Sequence, residues 1–386
     1  IDGCPAKEES DDDDNGNTNK ATASSLVIAG CYLGSAWAYL SAWFLFSENF
    51  QIQMAQWGYA GPIWPWVFYV NGILSVGCLY FFRGEFNLFG NLKAKRTHQS
   101  TSKDAEGETD NSATNKTIPT PPNIWNDALL IAKETLSSKS GRAILAAQVG
   151  QGALLYSIAS WGPLYLERVN AMPSDVQQSA SNIMSVTASS QSESASVSPV
   201  AVAASAAASS LIFPQITQAL VGISIGASAD QLSSKIGTRI TRRALQIISG
   251  VVPAIILWYL SQLGSGNESG ASSDLLSPAF LFGTAQTISA LSLGAVSVSH
   301  LDIATPSDAG AVYALGNVAA AASGSLTVNL FGRLLESDVS TGAGSGAEFG
   351  LPFRVVAVLS AVGALIYGCT IETELEIGLN ETATDT

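Results

Sequence analysis

Charge is scarce in this sequence. Only 13% of its 386 residues are Asp, Glu, Lys or Arg, about half the share found in ordinary soluble domains. Histidine is scarcer still, with only His98 and His300, so a His-rich metal centre or a Ser-His-Asp hydrolase has little to build from. The four cysteines, Cys4, Cys31, Cys78 and Cys369, show no CxxC spacing, which argues against a zinc site and a disulfide framework. The reading is therefore of a protein that is not an enzyme and carries no cofactor or metal. A net charge of −13 lacks the basic footprint of a nucleic-acid binder. The acids sit mostly in tails and loops, such as Asp11 to Asp14 and Glu372 to Glu376. The chain opens on Ile1, with no initiator Met and no signal peptide, and reads as starting inside a longer protein.

What it has in abundance is long apolar sequence. Hydrophobic residues make up 47%, and the mean hydropathy of +0.26 points to the bilayer as solvent. About 20 apolar residues cross roughly 30 Å of hydrocarbon as a helix. Eight stretches reach that length: 22–46, 63–82, 143–166, 199–229, 244–263, 278–299, 309–332 and 355–371. None contains Asp, Glu, Lys or Arg, as expected when a charge at mid-bilayer costs about 2.5–3.5 kcal/mol even on insertion scales. The expected fold class is thus an all-α, multi-pass membrane protein.

The polar stretches divide the chain. Residues 1–21 read as an acidic cytosolic loop, 83–142 as a linker with extended backbone at Pro119, Pro121 and Pro122, and 372–386 as a tail. The Ser-rich residues 167–198 read as an unstructured insertion. With eight alternating spans, 15 basic residues fall on one side and 3 (Arg168, Arg333, Arg354) on the other. The positive-inside rule places both ends and the linker in the cytosol or its equivalent. Small residues at Gly222 with Gly226, Ala201 to Ser210 and Ala319 to Gly324 suit close helix approach, and Pro163, Pro214 and Pro253 suit kinks. Of the sequons, only Asn267 would lie across the membrane; Asn115 and Asn380 would be cytosolic. Which membrane is meant, plastid, endomembrane or plasma membrane, stays open.

The stretch His300-Leu301-Asp302-Ile303-Ala304, followed by Gly316-Asn317, resembles the anion:cation symporter family of the major facilitator superfamily, with the family's proline displaced to Pro306. That family includes sodium-phosphate cotransporters, sialin, vesicular glutamate transporters and plant plastid phosphate transporters. Three further stretches fit in order: Trp64 to Gly72, Tyr156 to Tyr165, and Gly226 to Asp230 with Arg239, Arg242 and Arg243. The resemblance implies that the eight spans correspond to helices five to twelve of twelve. Residues 22–82 would then be the last two helices of the N-terminal bundle and 143–371 a compact six-helix C-terminal bundle, with the first two spans packed apart from it. It also implies secondary transport of a small anion, phosphate or a carboxylate, coupled to sodium or protons. The family keeps its substrate arginines and coupling carboxylates chiefly on helices one and four, so these 386 residues alone would not perform coupled transport. A facilitator for sugars or drugs, or a membrane scaffold that transports nothing, are the other readings.

Substrate contacts on this half must come from neutral donors and aromatic walls. Asn317 matches the family's cavity asparagine, and an unpaired carboxamide in a membrane interior is costly; the alternative is a bond to a neighbouring helix. Tyr156 and Trp161 either line a cavity or simply pack. Ser289 and Ser292 share a helical face, though serine commonly bonds its own backbone. Asp230 with Arg239, Arg242 and Arg243 reads as a charge network that latches one conformational state, with plain positive-inside anchoring as the alternative for the arginines. His300 and Asp302 are expected just past span six, in contact with water. Thr305, Pro306 and Asp308 read as the cap opening span seven.

Overall fold

The computed structural model describes residues 20–59, 61–83, 124–170, 199–263, 277–306, 308–339 and 349–373. The acidic run, most of the Ser-rich insertion, most of the linker, Cys4 and all three sequons lie outside the described residues. Among those described, every regular element is helical: α1 (Lys20–Leu45), α2 (Glu48–Gln56), α3 (Trp64–Arg83), α4 (Ile124–Ser137), α5 (Lys139–Asn170), α6 (Pro199–Ile236), α7 (Thr238–Leu263), α8 (Pro278–Ser289), a 3-10 turn (Ala290–Gly294), α9 (Val296–Ile303), α10 (Ala309–Val339) and α11 (Gly350–Thr370).

Eight segments are long and apolar enough to cross a membrane, and each overlaps one of the eight stretches expected from sequence. Several run past the apolar limit, as α6 does to Ile236 and α10 to Val339. A helix satisfies its own backbone and has no reason to stop where the hydrocarbon does. The polarity pattern fits a lipid environment. Large apolar side chains such as Val27, Phe81, Phe213 and Leu326 face outward, while Gln148, Gln151, Gln218, Gln246 and Gln286 are buried. A water-soluble protein seldom exposes so much contiguous apolar surface.

Six segments interlock: α5 packs against α10 and α11, α7 against α11 and α8, and α6 against α8 and the 3-10 turn. The α5 contacts are close because glycine removes a side chain. A Cβ on Gly152 would stand 2.2 Å from the Ala320 carbonyl oxygen, and one on Gly363 would stand 2.4 Å from that of Ala146. One end of this bundle is aromatic, with Tyr165 ringed by Phe282, Phe349 and Phe353 at centroid distances of 6.3, 5.3 and 4.9 Å. The other end is aliphatic, built from Ile131, Ile144, Val296, Ile303, Val312 and Ile371 around Tyr367.

Two features depart from the expected division. The linker ends in α4, whose Ile131 and Thr135 are buried against the bundle; those residues alternate with polar ones at helical spacing, which a Pro-rich linker reading passes over. The first span, α1, does not stand apart but lies along α6, on the flank of the bundle. Its contact face is the small-residue row Ala21, Ser25 and Ala29. Opposite stands Gly226, where a Cβ would come within 1.8 Å of Ser25 Oγ. By contrast, no residue of α3 in its apolar stretch is buried, though Asn71 reaches Ser41 Oγ at 3.2 Å.

The helix α7 gives a direct check on topology. In a cysteine-free background, Ser234→Cys before α7 and Gln262→Cys at its far end should be labelled from opposite sides of sealed vesicles by an impermeant maleimide. Equal labelling of both from one side would contradict a membrane-spanning α7.

Candidate functional site

The sixth span is broken. Nothing in its sequence between Pro278 and Ile303 demands this, since no proline interrupts it after Pro278. Yet α8 stops at Ser289, a 3-10 turn follows, and Ala295 takes φ −128°, ψ −103° before α9 begins. The backbone groups freed by such a break need partners in a membrane interior. Side chains from two other helices supply them. Gln151 Nε2 of α5 donates to the Ser289 carbonyl at 3.3 Å, Arg242 Nη1 of α7 donates to the Gly294 carbonyl at 2.8 Å, and the Val296 N–H donates to Gln246 Oε1 of α7 at 3.4 Å.

Ser289 is the hub of this polar interior. It is fully buried, its hydroxyl donates to the Gln286 carbonyl at 2.6 Å, and Gln218 Nε2 of α6 donates to the same hydroxyl at 3.2 Å. Ser292 lies buried within the 3-10 turn. The two serines expected to face a substrate therefore sit inside the bundle at the break. Trp161 is committed elsewhere: its indole N–H donates to the Val328 carbonyl of α10 at 3.2 Å, and its ring stacks on Phe331 at 6.2 Å. Tyr156 and Asn317 lie on the adjacent helices α5 and α10 with side chains exposed. The ring of Tyr156 fills the space left by Gly324, where a Cβ would come within 2.4 Å. The five residues expected to bind substrate do not form one cluster.

The charged residues at the α1 and α7 end of the bundle also separate. Asp230 does not meet the arginines that follow it in sequence. Its carboxylate caps α1, accepting from the Ala21 N–H at 3.1 Å, the Thr22 N–H at 2.8 Å and the Thr22 hydroxyl at 2.7 Å. Lys20 Nζ adds a bond to the Leu301 carbonyl of α9 at 3.3 Å. Arg242 is buried and pairs with Asp302, Nε to Oδ2 at 3.0 Å. Arg243 donates to the Ile371 carbonyl at 2.9 Å. Arg239 lies 3.7 Å from Glu372, which also binds Lys139 at 2.9 Å. The Lys139 ammonium holds the Glu372 carboxyl below the usual carboxylate range. This outer cluster is exposed, so it contributes little stability.

His300 and Asp302 are not in water, contrary to the sequence expectation. The span continues through α9 to Ile303, and both side chains are largely buried, His300 with its ring 4.7 Å from that of Tyr313. Thr305 lies four residues before the next helix begins at Ala309; its carbonyl accepts from the Asp308 and Ala309 N–H groups, and its hydroxyl donates to Asp308 Oδ2 at 2.8 Å. The residues that sequence reasoning passed over are the glutamines. Gln148, Gln151, Gln218, Gln246 and Gln286 all fall within apolar runs, and an amide in such a run is itself a signal, for the same reason that singled out Asn317.

In comparison with known proteins, the chain matches no family model, and no curated protein matches it at a significant level.

Proposed function

We propose that this multi-pass membrane protein acts in secondary active transport of a small anion, inorganic phosphate or an organic carboxylate, within a major facilitator-type architecture and with sodium or protons as the coupling ion. The observation that carries the reading is the broken sixth span. Its C-terminal part, α9, carries His300 to Ile303 of the segment on which the family resemblance rests, and the break before it is held by the buried amides of Gln151 and Gln246. Interrupted spans at the centre of a bundle are where transporters place their binding sites, because unwound backbone offers polar groups to an ion. A second support is the seam between α1 and α6. It is lined by small residues and closed at its cytosolic end by the Asp230 cap, a polar contact that can open and re-form between two states. The alternatives, a facilitator for sugars or drugs and a scaffold, have no such specific support.

Expression from the complete coding sequence and reconstitution into proteoliposomes provides the test. Gradient-driven uptake of phosphate or a carboxylate is expected. Asn317→Ala should lower it roughly tenfold or more, since a hydrogen bond to a charged group is worth about 1.5–3 kcal/mol, while insertion stays unchanged. Absence of uptake for every small anion tried would overturn the transport reading, and full activity of Asn317→Ala would remove that residue from the site.

A further inference from the structure

Around the break the donors and acceptors do not balance. Ser289 donates its hydroxyl hydrogen to the Gln286 carbonyl, so the bond it shares with Gln218 must come from the Gln218 NH2 group. That fixes the orientation of the Gln218 amide and turns its oxygen away from Ser289. The oxygens Gln218 Oε1 and Gln286 Oε1 are both buried and both without a hydrogen-bond partner, in residues only 0% and 3% exposed. The two residues lie at one level of adjacent helices, because their sequence neighbours Thr217 and Thr287 touch, hydroxyl to hydroxyl, at 2.8 Å and Ser289 bonds both the Gln218 amide and the Gln286 carbonyl. Beside them α8 ends, and the carbonyl end of a helix carries partial negative charge.

We propose that Gln218 Oε1 and Gln286 Oε1, with the C-terminal end of α8, form a sodium site; the proposal rests on the transport reading and assigns its coupling ion. Surplus buried acceptors attract a cation or a proton donor. The donor set is neutral oxygen throughout, and the acid of α9, Asp302, is held by Arg242. Such a set suits a hard monovalent ion. A divalent ion is usually held by carboxylates, and among the described residues no group of three or more His, Cys, Asp or Glu side chains is placed to hold a metal. Carboxamides do not titrate near neutral pH, so this site stores a metal cation and not a proton. The competing proton carrier is His300, which is buried with Nδ1 unpartnered.

The test uses the full chain, purified, with thermal unfolding followed in sodium chloride and in choline chloride at equal ionic strength and pH, alongside direct binding of radioactive sodium. A ligand that binds only the folded state raises its stability with concentration. The expected result is a saturable rise in melting temperature in sodium and none in choline. Gln218→Leu and Gln286→Leu should each weaken sodium half-saturation at least tenfold while still unfolding cooperatively in choline, and His300→Gln should leave it unchanged. Superimposed curves in sodium and choline, with no binding of radioactive sodium to the unmodified protein, would overturn the site; so would an undiminished sodium response in both leucine variants. Anion uptake driven by a proton gradient and indifferent to sodium would remove the site and leave transport standing. Sodium binding without uptake of any anion would leave the site and remove the transport reading.

Discussion

Arg242→Ala is expected to destabilise the bundle by about 3–5 kcal/mol, the cost of leaving one partner of a buried ion pair without the other. The guanidinium is almost wholly enclosed, with side-chain exposure of 3% against 9% for Asp302. It makes two separate bonds, to Asp302 Oδ2 and to the Gly294 carbonyl. Alanine would strand a carboxylate and a backbone carbonyl in the bundle interior, at the point where the sixth span is already interrupted. The double variant Arg242→Met with Asp302→Leu should recover most of the loss, because replacing a buried pair by apolar groups of similar size is often neutral. Thermal unfolding in detergent reads both. If Arg242→Ala unfolds like the parent, the pair does not hold the break together.

Asp230→Ala should release α1 from α6. The carboxylate takes two backbone N–H groups of the first turn of α1 and one hydroxyl, where a negative charge also complements the helix dipole. A hydrogen bond to a charged group is worth about 1.5–3 kcal/mol. Losing the equivalent of one such bond, about 2 kcal/mol, would shift the docked equilibrium roughly 30-fold at 1.4 kcal/mol per factor of ten. The pair Ala29→Cys with Gly222→Cys reports on docking. A Cβ on Gly222 stands 3.9 Å from that of Ala29, within disulfide range, and the Leu293 methyl that also meets it at 2.7 Å is the end of a flexible side chain. Cross-linking should be rapid in the parent and markedly slowed by Asp230→Ala. Equal rates would mean that the small-residue seam holds α1 without its cap.

The same carboxylate shows how far the sequence could be read. Asp230 was legible as an acid in need of a partner, since an acid at the end of an apolar span beside three arginines needs a reason. Its partner was not. Proximity in sequence favoured Arg239 to Arg243, but α6 ends at Ile236 and α7 turns away through Gly237. The acid is left facing α1, some 208 residues distant in the chain. Asn317, the most legible binding candidate, does lie on a spanning helix with its amide exposed. Trp161 could not be sorted from a cavity aromatic in advance, because whether its N–H is free depends on the Val328 carbonyl of another helix.

Sequence by itself determined that the described part of the chain is helical and that eight segments are long and apolar enough to span a membrane. These follow from single-segment physics: in hydrocarbon each backbone must bond within its own helix, so apolar length suffices. Only the tertiary structure decided where a span breaks and which polar groups meet. Residues 278–299 read as one continuous span because nothing local forbids it. The break persists because Gln151 from α5, with Arg242 and Gln246 from α7, satisfy the backbone it frees. A broken helix is tolerable only when other helices complete its hydrogen bonds, and that completion is not a property of the segment that breaks.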